Sequence, residues 1–121
     1  MTLQQLKYVI EVAKAKSISE AAKKLFISQP MRGKSDDEIL KAREEAIKKV
    51  EEMTGERVEV VDSFFQGAPA DAKPLWYLGK SLQLLSTADV AYFDTGWESA
   101  RGCKIENLCA TEYGIKTMYG E

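Results

Sequence analysis

Four short segments of the sequence carry the side chains that could bind a ligand or take part in chemistry. They are residues 28–34, 62–65, 94–97 and 101–103, and they supply hydroxyls, two arginines, two carboxylates and three aromatic rings. Residues 101–103 are also expected to open a helix, whose free N–H groups suit an anionic or oxygen-rich ligand. The four segments therefore form a candidate binding site if the fold brings them together.

The residue types that the chain lacks narrow the chemistry. The sequence has no histidine, which excludes His-based catalytic triads, His metal ligands and His acid–base catalysis. The two cysteines, Cys103 and Cys109, do not have metal-ligand spacing. On one helix they would point to different faces, so no disulfide is expected. Catalysis would depend on carboxylates, hydroxyls, Tyr, Cys, Lys or the backbone, and no cofactor is predicted.

Size, charge and hydropathy restrict the class of protein. The 121 residues suffice for one domain with one hydrophobic core. A net charge of −2 opposes a general nucleic-acid binder, which usually has a basic face. No apolar stretch approaches the roughly 20 residues of a membrane-spanning helix, and residues 1–16 carry several charges and no signal-peptide cleavage site. We therefore expect a cytoplasmic protein without membrane contact.

Hydrophobic periodicity and capping signals predict five helices. Two lie at the N-terminus, over residues 2–15 and after a capping box at residues 17–20. A long third helix follows a second capping box at residues 35–38 and ends at Gly55. The last two helices cover about residues 75–85 and 100–113. The apolar stripes of the third and fourth helices are Ile39, Ala42, Ala46, Val50 and Met53, and Leu75, Leu78, Leu82 and Leu85, respectively.

Strands are predicted near residues 25–29, 58–62, 89–93 and 115–118, in alternation with these helices. This pattern predicts an α/β fold, flavodoxin-like or Rossmann-like, with a four-stranded parallel sheet of order 2-1-3-4 and two extra N-terminal helices. Phe26 and Ile27 favour a strand for the first of these segments. Ligands of open parallel sheets bind at the carboxyl ends of the strands, where the four polar segments would meet.

Each candidate residue also has a structural interpretation. Arg32 and Lys34 could be solvated loop charges, and Asp62 and Asp94 could be turn or cap residues. Glu106 lies one turn into a helix and would on position alone be a surface carboxylate. The aromatic side chains are interpreted as packing residues, with ligand contact as the alternative: Phe64, Phe65, Trp97, Trp76 and Tyr77.

Five segments occur in an order that adds a family resemblance. They are residues 26–34, 60–65, 74–79, 88–93 and 96–106. Together they resemble a bacterial and phage family of unknown function that is related to nucleoside 2-deoxyribosyltransferases. The resemblance covers roughly residues 24–119. It implies the same α/β fold and either N-glycosidic bond chemistry on nucleosides or nucleotides, or ligand binding without transfer.

The resemblance implies roles for particular residues. In the transferases, a glutamate at the position of Glu106 attacks the anomeric carbon of deoxyribose, expels the base and forms a glycosyl-enzyme ester. A carboxylate suits this role because the transition state resembles an oxocarbenium ion. The transferases have an aspartate where this chain has Ala100, so Asp94 is the candidate partner carboxylate. The implied ligand-binding residues are Ser28, Gln29, Met31, Arg32, Gly33, Asp62, Ser63, Trp97, Arg101 and Gly102.

The N-terminal residues show a second resemblance. Residues 1–10 and 17–30 resemble the start of a LysR-type transcriptional regulator, in which Ser-Gln-Pro begins the helix that enters the major groove. Here Pro30 is followed by residues 31–34, and the recognition helix is missing. Residues 25–30 fit both families at once. The chain therefore looks like an engineered or recombined chimera, with a helical segment over residues 1–24 and an α/β domain over residues 25–121.

These interpretations lead to expectations about activity and partners. A nucleoside or nucleotide is the expected ligand, and an inert domain is favoured over an active enzyme because of Ala100 and the foreign N-terminus. No sequence-specific DNA binding is expected, and a fragment of a DNA-binding regulator is the alternative function. The apolar stripe of the first helix would dock on the α/β domain or on a second copy of the chain. Docking on a second copy would make a homo-oligomer. That stripe is Leu3, Leu6, Val9, Ile10 and Ala13.

Overall fold

The computed structural model describes residues 22–64 and 68–120. Four strands are present in this part of the chain: β1 (Lys23–Ser28), β2 (Val58–Val60), β3 (Val90–Phe93) and β4 (Lys116–Tyr119). The helices are α1 (Asp36–Thr54), α2 (Pro74–Leu85) and α3 (Arg101–Glu112), with a 3₁₀ turn at Trp97–Ser99. The helices predicted for residues 2–15 and after Ser17 lie outside the described residues.

The strands form one parallel sheet in the order β2-β1-β3-β4, which confirms the predicted α/β fold and strand order. In the register of the sheet, Leu25 of β1 is opposite Val60 of β2 on one side and Val90 of β3 on the other. The segment Leu25–Ser28, which fits both family resemblances, is therefore a central strand. Its four residues are all buried.

The two faces of the sheet are covered by different helices. Side chains alternate between the faces along a strand, so Leu25 and Ile27 pack with Ala46 and Val50 of α1. Phe26 packs on the opposite face with residues of α2 and α3, among them Leu85 and Ala110. Strands covered on both faces are apolar throughout rather than alternating, as β3 is, with all four residues buried.

Helix α1 begins and ends at the predicted residues. The Glu38 N–H donates to the Ser35 hydroxyl at 3.2 Å and the Ser35 N–H donates to the Glu38 carboxylate at 2.8 Å, which completes the capping box. Gly55 ends the helix in the left-handed conformation, with φ of 70°. The predicted apolar stripe was wrong at Met53, which is 59% exposed because it lies one turn past Val50, the last buried residue of the helix.

Helix α2 differs more from its prediction. Leu75, the first residue of the predicted stripe, is 77% exposed, and the buried residues of α2 are Ser81 and Leu85. The helix begins with Pro74, whose fixed φ suits a first helical position. Its first turn therefore projects toward the carboxyl ends of the strands instead of packing on the sheet.

No helix in residues 22–64 and 68–120 is long and apolar enough to cross a membrane.

Candidate functional site

A cavity of about 1010 Å³ opens at the carboxyl ends of the strands. It is formed by the end of β1 with the loop that follows it, by Ser63 and Phe64 after β2, and by the first turns of α2 and α3. The strand order changes direction beside it, because β2 lies on one side of β1 whereas β3 and β4 lie on the other. Such a switch point is where open α/β sheets bind their ligands.

Glu106 lies in the cavity wall, and its side chain is only 8% exposed. The Ser28 hydroxyl at the end of β1 donates a hydrogen bond of 2.6 Å to Oε1 of the carboxylate. Burial raises the pKa of Glu106 above its ordinary value, while the hydroxyls of Ser28 and Ser81 act in the opposite direction. Glu106 is therefore a buried carboxylate facing a cavity rather than a surface charge.

Cys103 lies three residues before Glu106 on α3 and also lines the cavity. Burial raises the pKa of its thiol, the hydroxyl of Ser28 lowers it, and the negative charges of Glu106 and Asp94 raise it further. Because the thiolate is the reactive form of cysteine, this environment disfavours Cys103 as a nucleophile. Both cysteines are free, as predicted.

Arg43 of α1 holds together two of the loops that form the cavity. Its side chain is 6% exposed, and Nη1 donates to the Gln29 side-chain carbonyl at 3.0 Å. Nη2 donates to the Ser63 hydroxyl at 3.3 Å and to the Val61 carbonyl at 3.4 Å. Burial lowers the pKa of Arg43, and the charge of Asp62 partly offsets this effect. Arg43 therefore couples the loop after β1 to the segment after β2.

Eight of the twelve predicted site residues line the cavity: Ser28, Gln29, Met31, Arg32, Ser63, Arg101, Gly102 and Glu106. These eight residues come from three separate segments of the chain, namely the end of β1 with its following loop, the segment after β2 and the start of α3. Phe64 and Tyr77, interpreted from the sequence as packing residues, also line the cavity. Phe65 lies outside the described residues.

The other four predicted residues, Gly33, Asp62, Asp94 and Trp97, do not line the cavity. The Asp62 carboxylate accepts a hydrogen bond from the Phe64 N–H at 3.4 Å, which is a local turn contact. Trp97 packs against Phe93 and Tyr119, with ring centroids 5.6 Å from each. Asp62 and Trp97 therefore make local contacts outside the cavity wall, and their role in ligand binding stays a prediction.

Asp94 was the predicted partner of Glu106, and it follows β3 directly. Its backbone N–H donates to the Ser28 carbonyl at 2.9 Å, and its charge acts on Cys103. The carboxylate itself does not reach the cavity wall, so Glu106 is the only carboxylate among the cavity-lining residues of the described chain. No group of three or more metal-binding side chains occurs among the described residues.

Sequence reasoning missed three residues of this site: Arg43, Lys73 and Ser81. Arg43 lies on the buried face of α1 between Ile39 and Ala46, and a cation at helical spacing within an apolar stripe was a signal for it. Ser81 likewise lies between Leu78 and Leu85 at helical spacing. Lys73 precedes α2, and nothing in its local sequence distinguishes it from other loop lysines.

Comparison with known proteins bears on the N-terminus. The family model of bacterial regulatory helix-turn-helix proteins of the lysR family matches residues 3–33. No curated protein and no solved structure matches the chain. The match agrees with the LysR resemblance of the N-terminal residues.

The matched segment overlaps the sheet. Residues 22–33 of the match are described by the structure, and they contain β1, Lys23–Ser28, and the loop that follows it. In a helix-turn-helix the corresponding residues would form the end of one helix and the turn before the recognition helix. Residues 23–28 are instead hydrogen-bonded between β2 and β3.

Proposed function

We propose that residues 25–121 form a domain that binds a nucleoside or nucleotide in this cavity and cleaves its N-glycosidic bond with Glu106 as the nucleophile. The observation that carries the proposal is the buried Glu106 carboxylate, which faces the cavity and accepts a 2.6 Å hydrogen bond from Ser28. A buried carboxylate with a raised pKa in a cleft is a typical feature of a catalytic site.

The reaction follows from the chemistry of a carboxylate beside a sugar. The ionised Glu106 attacks the anomeric carbon of the sugar, and an ester bond forms as the bond between that carbon and the base nitrogen breaks. The base leaves with the electron pair and takes a proton from water. A second water molecule then attacks the anomeric carbon and gives its proton to the hydroxide left by the first, which releases the sugar and restores the carboxylate. The sum is one nucleoside and one water converted to one sugar and one base.

The cavity has the size and lining that this ligand needs. Its volume of about 1010 Å³ lies at the upper end of the range for small-molecule sites. Met31, Phe64, Tyr77 and Leu78 supply an apolar wall suited to a planar base. Ser28 and Glu106 supply the polar part of the wall, where the sugar would lie.

Release of free base tests the proposal. The full chain is incubated with the four deoxynucleosides and their 5′-monophosphates, and base release is followed by chromatography. We expect Glu106→Gln to abolish release. Glu112→Gln, an exposed change on the same helix, should leave it intact. Base release that survives in Glu106→Gln would remove this residue from the reaction.

Sequence-specific DNA binding by the N-terminal residues is a second candidate function. The family match over residues 3–33 supports it. The strand at residues 23–28 and the net charge of −2 oppose it. Titration of the full chain with an operator-like duplex and with a scrambled duplex, at low and high salt, distinguishes sequence-specific DNA binding from its absence. Selective, salt-sensitive binding of the first duplex supports a regulator, and equal weak binding rejects it.

We also propose that the chain joins parts of two families within residues 25–30, with an N-terminal segment preceding the α/β domain. Two observations support this proposal. The family match stops at residue 33, shortly after β1. Among the described residues, the buried core that surrounds β1 is made by side chains between Leu25 and Met118.

A further inference from the structure

We infer that the cavity selects nucleoside monophosphates over free nucleosides, with the phosphate held by Arg32, Lys73 and Arg101. This inference rests on the proposed function, because it specifies the substrate class of the same site. The observation behind it is the charge of the cavity wall. Among the described residues, three cationic side chains line the cavity and one carboxylate does, although the whole chain has a net charge of −2.

The three cations are available to a ligand. Arg32, Lys73 and Arg101 are all exposed, and none has a side-chain hydrogen bond or ion pair with any residue in the described ranges. They come from three separate parts of the fold, namely the loop after β1, the residue before α2 and the first residue of α3. Cations that converge on one cavity without carboxylate partners favour an anionic ligand group, since arginine binds phosphate through two parallel hydrogen bonds.

The start of α3 adds backbone donors on the same side of the cavity. Ala100 precedes the helix and provides no side-chain cap, so the N–H groups of the first turn remain available. A Cβ built on Gly102 would meet no atom within 4 Å, so packing against the protein does not require a glycine here. Gly102 lines the cavity, and the missing side chain leaves the helix start open to a phosphate oxygen.

The positions of the charges match the two ends of a nucleotide. Glu106 is buried, whereas the cations are exposed, so an anionic group would lie toward the opening and the sugar farther in. A phosphate beside the buried Glu106 would instead place two negative charges together. The charged groups thus favour a single orientation in which the anomeric carbon approaches Glu106.

Direct binding to the full chain tests this inference. The probes are the four deoxynucleosides, their 5′-monophosphates, deoxyribose 5-phosphate and inorganic phosphate, measured by calorimetry with wild type and with Glu106→Gln, which prevents turnover. We expect at least one monophosphate to bind about tenfold or more tightly than its nucleoside, as one or two charge-assisted hydrogen bonds would provide. The difference should shrink as salt is added.

Matched variants locate the phosphate. Arg101→Gln should weaken monophosphate binding about tenfold and leave nucleoside binding unchanged. Lys104→Gln removes the same charge from the same helix but from a residue outside the cavity wall, and it should have little effect. Gly102→Ala should fold normally, since its new methyl group meets no protein atom, and still weaken monophosphate binding.

The outcomes separate this inference from the proposed function. Monophosphate binding without base release supports the inference and rejects the proposed function. Base release from free nucleosides, with equal affinity for both forms, supports the proposed function and overturns the inference. Three further results would also overturn it. They are equal losses of monophosphate affinity in Arg101→Gln and Lys104→Gln, binding of inorganic phosphate as tight as that of any monophosphate, and no binding of any probe.

Discussion

Ser28 and Glu106, 78 positions apart in the sequence, are joined by a hydrogen bond of 2.6 Å from the Ser28 hydroxyl to the Glu106 carboxylate. Ser28 ends the central strand β1, and Glu106 lies in the second turn of α3. The bond therefore fixes the helix relative to the strand at the cavity. It also stabilises the ionised form of a carboxylate whose burial favours the neutral form.

Replacement of Ser28 by alanine should raise the pKa of Glu106 further, because the hydroxyl lowers it in the native protein. Any base release should then require a higher pH, since the nucleophile must be ionised. The titration of the Glu106 carboxyl carbon by NMR measures the shift directly. Ser99→Ala, at an exposed position, is the control. An unchanged Glu106 titration in Ser28→Ala would mean that the hydrogen bond does not stabilise the carboxylate.

The pH dependence of the protein's stability should reveal the burial of Glu106. The folded-state pKa of Glu106 is raised, so the group contributes stability below its unfolded pKa that is lost as pH rises through the folded pKa. Above the folded-state pKa the buried charge is a cost. We expect Glu106→Gln to unfold at higher urea concentration than wild type at pH 7, with the gap closing as pH falls toward 4. Glu112→Gln should show no such pH-dependent gap.

Much of the fold could be predicted from the sequence because its signals are local. Apolar runs rich in β-formers marked the strands, and the capping box at Ser35 and the glycine at position 55 marked the two ends of α1. Periodicity predicts which face of a helix is apolar, but it does not predict how far along the helix the sheet extends. Met53 and Leu75, in the last and first turns of their helices, were therefore wrongly assigned to the core.

The site was only partly predictable. Glu106 was identified through the family resemblance, since a lone glutamate in a helix carries no local signal of burial. Lys73 and Ser81 reach the cavity because α2 starts at the carboxyl ends of the strands, which is a property of the tertiary structure. Asp94 was expected beside Glu106 as a replacement for the transferase aspartate, whose position holds Ala100 in this chain. Residues after a strand can turn to either side of the sheet edge, and sequence spacing does not determine which.

Arg43→Met should destabilise the protein by about 2–3 kcal/mol, because it leaves buried hydrogen-bond acceptors without their donor. The acceptors are the Gln29 side chain, the Ser63 hydroxyl and the Val61 carbonyl. Urea unfolding measures the loss, and Arg57→Met, at an exposed position, should cost less than about 0.5 kcal/mol. Equal effects of the two substitutions would show that the Arg43 hydrogen bonds do not hold the two loops together.

Deletion of residues 1–21 should leave the α/β fold intact, as the proposed domain boundary requires. Among the described residues, the two core clusters lie between Leu25 and Met118, and the three strand pairings lie between Lys23 and Tyr119. The shortened chain should therefore keep its parallel sheet and unfold cooperatively in urea, with a midpoint close to that of the full chain.

Hydrogen exchange of the β1 and β3 amides, followed by NMR in both chains, reports on the centre of the sheet. Protected amides in the short chain support a boundary before β1. Loss of that protection, or aggregation of the short chain at concentrations where the full chain remains monomeric, would mean that the N-terminal residues are part of the folded unit.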